Sequence, residues 1–278
     1  MRAARYRLRF WGVRGTVPTP DADKLRFGGN TICLSASLGD REHLILDCGS
    51  GLRLLGSHLA QLRPGFARRY NIFLSHYHFD HVSGLPFFHP LYDPRNTIRF
   101  HGFASDGRSV QEVLETLIAP PYFPVKLAGV PARVEYVTAD GSPRVVRDVR
   151  INCLPLRHPN GSLSYRLEHG RRRIVFATDH EHGDPKTDQA LIRFSEGAEY
   201  LIYDATYIPG EYESLRRGWG HSTWYAAVQT ARAARVKTLV LFHHHPDHTD
   251  KDLREILRVA RRELPSTMAA REGMELPF

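Results

Sequence analysis

This sequence predicts an α/β fold in which two β-sheets are covered by helices. Two observations predict it: short β-rich apolar runs recur along the whole chain, and apolar stripes at helical spacing lie between them. The runs are, in order, Tyr6 to Trp11, Thr31 to Leu38, His43 to Asp47, Asn71 to Ser75, Thr97 to Phe103, Arg133 to Val137, Val149 to Leu156, Leu163 to Glu168, Arg173 to Thr178, Tyr200 to Asp204 and Lys237 to His243. Leu52, Leu55, Leu59 and Leu62 form one helical stripe, and Leu253, Ile256, Leu257, Ala260 and Leu264 form another. Further helices are predicted near residues 110 to 119, 188 to 196 and 222 to 235. Strands in groups with helices spread between them need two layers of sheet with helices outside, so that each apolar face is covered.

A chain of 278 residues can bury a sizeable core, and neither a low-complexity linker nor a short repeat divides it. A single domain over residues 1–278 is the simpler organisation. With 42% hydrophobic and 24% charged residues, disorder, collagen-like repeats and coiled coil are excluded. No apolar run approaches the roughly 18 residues of a membrane span, so no membrane partner is expected. The basic N-terminus lacks the apolar centre of a secretory signal, which predicts a cytoplasmic protein. Cys33, Cys48 and Cys153 are odd in number and lack CxxC spacing, which argues against a disulfide framework or a thiolate zinc site. The net charge of +8 favours contact with anions. The proline- and aromatic-rich segment 119–125 is expected to be an extended loop, either a connector or a lid. Arg171-Arg172-Arg173 reads as a hairpin tip in water.

Sixteen histidines stand out, because imidazole is the commonest metal ligand. Ser75-His76-Tyr77-His78-Phe79-Asp80-His81 follows directly on a predicted strand. Three imidazoles and a carboxylate in six residues cannot all be buried for packing, since each needs a partner when it leaves water. Alternation at a strand end lets His76 and His78 converge on one ion, while Asp80 and His81 turn toward a second position.

That motif resembles the second motif of the metallo-β-lactamase superfamily, and further resemblances follow in order. Asp47-Cys48-Gly49-Ser50-Gly51 is similar to the first motif, in which the aspartate is a structural hydrogen-bond acceptor. His158, Asp179 and His243 match the later ligand positions. The resemblance implies an αββα sandwich of two mixed sheets flanked by helices, with metal ligands on loops at one edge. It also implies two divalent ions: one held by His76, His78 and His158, the other by Asp80, His81 and His243, with Asp179 bridging. Nitrogen and oxygen donors suit Zn2+, with Mn2+ or Fe2+ as alternatives. Two such ions lower the pKa of a bridging water and so set up hydrolysis. His244 is the alternative to His243, while His180 and His182 are expected outside the ligand set.

Asp204-Ala205-Thr206 and Gly220-His221-Ser222-Thr223 resemble elements of the phosphodiesterase branch that includes tRNase Z and the cyclic-phosphate phosphodiesterases. The resemblance makes His221 a catalytic residue on the scissile phosphate or leaving oxygen, oriented by Asp204, beside Asp80. Ser222 or Thr223 would cap the following helix. Trp11 to Pro20 and Phe27 to Thr31 also resemble that branch, and Arg14 and Asn30 are candidates to bind phosphate. In tRNase Z a long arm that grips tRNA is inserted in the catalytic domain, in the bacterial short form between the motifs of His158 and Asp179. Here that interval has room only for two strands and a turn. The expected function is therefore hydrolysis of a small phosphodiester, such as a cyclic nucleotide or sugar cyclic phosphate. Phe87, Phe88, Tyr122 and Phe123 are candidates to stack on a base. The alternatives are a nuclease acting on RNA or DNA ends and a non-catalytic metal-dependent sensor. A homodimer is left open.

Overall fold

The computed structural model describes residues 6–62 and 66–278. The first half of the chain runs β1 (Arg7–Gly12), β2 (Cys33–Ser37), β3 (Glu42–Leu46), α1 (Gly51–Gln61), β4 (Arg69–Phe73), α2 (Phe79–Val82), β5 (Thr97–Gly102), α3 (Val110–Leu117) and β6 (Arg133–Thr138). The second half runs β7 (Arg144–Val146), β8 (Val149–Leu156), β9 (Ser162–His169), β10 (Arg172–Ala177), α4 (Pro185–Ser195), β11 (Tyr200–Asp204), α5 (Pro209–Glu211), α6 (Trp224–Ala233), β12 (Thr238–Phe242), α7 (Asp250–Glu263), β13 (Thr267–Ala269) and β14 (Glu275–Pro277).

Two seven-stranded mixed sheets result, ordered β14-β1-β2-β3-β4-β5-β6 and β13-β12-β11-β10-β9-β8-β7. Strands β14 to β3 pair antiparallel and β3 to β6 parallel. The second sheet repeats this plan: β7 to β10 antiparallel, then β10 to β13 parallel. Phe10, Leu34, Leu46, Phe73, Phe176 and Phe242 fill the space between the sheets. Outside them, α1 and α3 cover the first sheet, while α4, α6 and α7 cover the second. This is the expected αββα sandwich.

Helices begin where a side chain can satisfy the free N–H groups of the first turn. Ser109, Asp184, Thr223 and Thr249 each cap one, typically worth about 1 kcal/mol. Of the two cap candidates before α6, Thr223 takes the role. The three-residue strands β7, β13 and β14 escape sequence reading because they are too short to show alternation. Segment 119–125 is a turn rather than an extended loop: the amides of Tyr122 and Phe123 both donate to the Ala119 carbonyl. Gly170 and Arg171 form the predicted hairpin tip between β9 and β10, while Arg172 and Arg173 lie in β10.

Candidate metal centre

The ends of β4, β8, β10, β11 and β12 meet at one edge of the sandwich, and their following loops carry the predicted ligands. Asp179 lies in the middle. Its Oδ1 is 3.7 Å from His76 Nε2, 3.8 Å from His158 Nε2 and 3.3 Å from His243 Nε2, and its Oδ2 is 3.2 Å from His81 Nε2. His78 Nδ1 is 3.1 Å from His158 Nε2, and Asp80 Oδ2 is 3.3 Å from His243 Nε2. All seven predicted ligands are thus brought together, as clusters His76/His78/His158, His76/His81/Asp179 and Asp80/His81/His243.

The tautomers fit a metal because the outward nitrogens are already engaged. His81 Nδ1–H donates to Asp47 Oδ2 at 2.8 Å, His158 Nδ1–H to the Gly220 carbonyl at 2.7 Å, and His243 Nδ1–H to Thr206 Oγ1 at 2.8 Å. His76 Nδ1–H reaches Ser75 Oγ at 3.1 Å. Each of these imidazoles therefore turns Nε2 toward the centre, the nitrogen that would coordinate a metal once free of its proton. The Nε2 atoms of His76 and His81 are buried and find no hydrogen-bond partner among the described residues.

Electrostatics tell the same story. Burial holds His76 well below the usual imidazole range and pushes His158 down to about 4. At His243 burial acts the same way, but Asp179 and Asp80 outweigh it and push it up to about 10. Asp179 is fully buried, which favours its neutral form, yet His243, His81 and His76 hold it well below the usual carboxylate range. At His81 burial is likewise outweighed by the aspartates, which push it well above the usual imidazole range, so His81 and His243 hold positive charge that a bound ion would replace. Donors of imidazole and carboxylate type, without thiolate, suit a divalent ion.

Beside this core, Asp204 is fully buried and acts as a hub. Its Oδ2 accepts from His221 Nδ1 at 2.8 Å, and its Oδ1 accepts from Thr206 Oγ1 at 2.8 Å and from the amides of Thr206 and Ser222. One carboxylate therefore fixes both His221 and, through Thr206, the ring of His243. His221 Nδ1 is 3.7 Å from Asp179 Oδ1.

A family profile described as "Beta-lactamase superfamily domain" matches residues 42–244. The chain belongs to the metallo-β-lactamase superfamily. The curated relatives it resembles include several named ribonuclease Z. It is 25% identical to ribonuclease Z of Thermoplasma acidophilum over 98% of this chain and 96% of that protein. Over a shorter stretch, 36% of this chain and 30% of the relative, it is 36% identical to ribonuclease Z of Brevibacillus brevis. Among solved structures it is similar to the metallo-β-lactamase fold protein YhfI from Bacillus subtilis, with TM-score 0.73, 20% identity and 98% coverage of both chains. Human tRNase Z, short form, gives TM-score 0.65 and 19% identity, over 97% of this chain and 98% of that one.

Within this superfamily fold the remaining sequence candidates separate. His243, not His244, faces the core: the chain is left-handed at His243 (φ 58°), and the His244 ring turns away to donate to the Ala270 carbonyl at 2.9 Å. His180 pairs with Asp188, and His182 lies against Ser222 and Tyr212. Arg14, expected at the phosphate, is corrected: it is fully buried and donates to the carbonyls of Gly28, His245 and His248. Through these bonds the guanidinium ties the loop of Gly28 to the loop of His245 and His248. Asn30 is likewise committed, with Nδ2 donating to Glu272 and Oδ1 accepting from Ser50. Phe88 is buried against Tyr70 and Phe123 packs on the core, so neither is free to stack on a base; Phe87 and Tyr122 are exposed.

Two glycines are required by close approach. A Cβ on Gly15 would fall 2.1 Å from the His243 ring, and one on Gly220 (φ 86°) would fall 2.3 Å from His158 Nδ1. Sequence reasoning missed Thr206 as the partner of His243, and it missed Glu181. That buried carboxylate accepts from the amides of Gly218 (2.6 Å) and Gly220 (2.9 Å) and from the Tyr212 hydroxyl (3.1 Å), fixing the loop that carries His221. Its only signal in the sequence was its place two residues after Asp179.

Proposed function

We propose that the chain is one catalytic domain, a binuclear metal-dependent phosphodiesterase acting on a small diester such as a cyclic nucleotide or sugar cyclic phosphate. The observation that carries this reading is the Asp204–His221 pair set beside a full imidazole and carboxylate donor set. His76, His78 and His158 would hold one ion, and Asp80, His81 and His243 the other, with Asp179 shared. Zn2+ suits these donors, with Mn2+ or Fe2+ as alternatives. Bound ions of this kind supply Lewis acidity and an activated water.

The chain's own residues do the rest. Asp80 Oδ2 is held by the Thr16 amide at 2.7 Å, so the carboxylate is oriented to steer the attacking water. His221 has Nδ1–H committed to Asp204, which leaves Nε2–H to protonate the departing oxygen. Asp204 stabilises the charged imidazole before that transfer. Support for a small substrate comes from the hairpin β9–β10, which fills the whole interval between His158 and Asp179. The alignment with the Thermoplasma relative spans 315 positions, more than this chain's 278 residues, so that ribonuclease Z carries segments absent here. Three free cysteines fit a reducing compartment, and we infer the cytoplasm.

A second reading, cleavage of RNA ends, is favoured by the names of the relatives and by the charge of +8. The test is a panel of substrates on metal-loaded protein: 2′,3′-cyclic nucleotides, a sugar cyclic phosphate, bis(p-nitrophenyl) phosphate, a phosphomonoester, a thioester and a precursor tRNA. Small diesters should turn over fastest. Faster processing of precursor tRNA would install the second reading, and dominant thioester hydrolysis would refute the phosphodiester assignment. Protein that binds two ions yet turns over nothing would be a sensor.

A further inference from the structure

We propose that a groove along α7, outside the metal centre, binds single-stranded nucleic acid through its phosphates. The groove has a volume of about 650 Å³. Arg254, Arg258 and Arg261 recur at i, i+4 and i+7, so they share one face of α7. Arg26, from the loop after β1, and Arg271, just beyond β13, complete the lining. All five side chains are exposed, and no carboxylate lines the groove. The acids nearby are spent elsewhere or offset only one arginine. Asp250 accepts from the amides of Arg26 and Phe27, Glu272 is turned to Asn30, and Glu255 pairs with Arg258. Arg26, Arg254 and Arg271 make no ion pair among the described residues.

The floor decides which polyanion fits. Half-buried Leu257 and Met268, backed by buried Phe27 and Met274, give an apolar bed beneath the charges. A nucleic acid strand offers a phosphate for each guanidinium fork and a flat base for the bed. An acidic peptide offers charge without a repeating flat face. The groove is separated from the metal centre by one layer of chain: His243 faces the metals, while the next residue, His244, packs on Phe27 with ring centroids 5.9 Å apart. The inference therefore goes beyond the small-diester reading, since a strand held here is a ligand whichever bond the centre cleaves.

The test uses the full metal-loaded chain and a fluorescein-labelled, cleavage-resistant 2′-O-methyl oligouridine of about 12 nucleotides, read by anisotropy over a salt series. Binding should weaken with salt with a log–log slope of about −3.5 if five phosphates are met, at about −0.7 each. The exposed double variant Arg254→Glu/Arg258→Glu should bind at least about tenfold more weakly and lose about 1.4 or more of that slope. Its turnover of bis(p-nitrophenyl) phosphate should stay within about twofold of the parent. Unchanged RNA binding in the variant, or a slope near zero in the parent, would overturn the proposal. A polyglutamate peptide that competes as well as the RNA would overturn the choice of nucleic acid. A parallel fall in diester turnover would overturn the separation from the metal centre.

Discussion

Replacing His221 with alanine isolates the chemical step from metal binding. His221 is not one of the seven residues assigned to the metals, although its Nδ1 lies 3.7 Å from Asp179 Oδ1 and it clusters with Asp179, Asp204 and His243. Its Nδ1 is bound to Asp204 at 2.8 Å, and its ring stacks on His243 at 4.6 Å and meets the edge of His158 at 5.1 Å. Those two ligand rings are also held from behind, by Thr206 and by the Gly220 carbonyl, so they should keep their pose when His221 is removed. A positioned general acid is typically worth about 10²- to 10⁴-fold, which is about 2.7–5.4 kcal/mol of barrier. His221→Ala should lose turnover on that scale for an alkyl diester and retain two metals. The loss should shrink for a nitrophenyl diester, whose leaving group departs without a proton. The assay is kcat across a leaving-group series, with metal content of the same samples by mass spectrometry. Equal losses for good and poor leaving groups would mean that His221 only binds phosphate. Metal loss would make His221 a ligand, and His243 would then need reassignment.

Three other perturbations probe the centre and the core. Asp80→Ala should reduce both metal retention and turnover; native protein should hold about two ions per chain and release them on acidification as ligand histidines protonate, and one ion at saturation would refute the binuclear reading. Glu181→Gln removes one acceptor from the three donors of Gly218, Gly220 and Tyr212, and should lower kcat by about 10-fold while KM and metal content hold. A change confined to thermal stability would make Glu181 merely structural. His101 is buried, stacks on Phe73 at 4.2 Å and has both ring nitrogens without a hydrogen bond among the described residues, and burial pushes it down to about 3. Because the unfolded chain takes up this proton near pH 6.5, the stability tied to the neutral ring is present above that value and is lost as pH falls toward 3. His101→Phe should flatten this part of the acid dependence and raise stability at pH 7 by about 1 kcal/mol, read by urea denaturation at pH 7 and 5; an unchanged pH slope would refute the assignment.

What the sequence displayed and what it hid differ by how the chain brings groups together. His76, His78, Asp80 and His81 are legible because one strand end delivers them within six residues. The pairing of Asp204 with His221 is expected from the sequence, but its second link, through Thr206 to His243, is not legible: those strand ends meet only because β11 lies between β10 and β12. Arg14 misled for a related reason, since a guanidinium near glycines reads the same whether it meets phosphate or carbonyl oxygens. The two aspartates that end β3 and β10 make the point most sharply. Asp47 and Asp179 follow corresponding strands of the two sheets, and both are left-handed, at φ 59° and 53°. Such strain in a non-glycine residue persists only where the surroundings enforce it. The neighbour of β3 is β4, which delivers the amide and hydroxyl of Ser75 and, further on, the His81 ring, so the Asp47 carboxylate is saturated by donors at 2.7–2.8 Å. The neighbour of β10 is β11, whose end delivers Asp204, a carboxylate with nothing to donate. Asp179 is left with Thr178 Oγ1 at 2.5 Å and a ring of imidazole nitrogens that are 3.2 Å or more away. Two adjacent buried carboxylates demand positive charge, which His81 and His243 carry as protons and which a metal held by the same nitrogens would supply in their place.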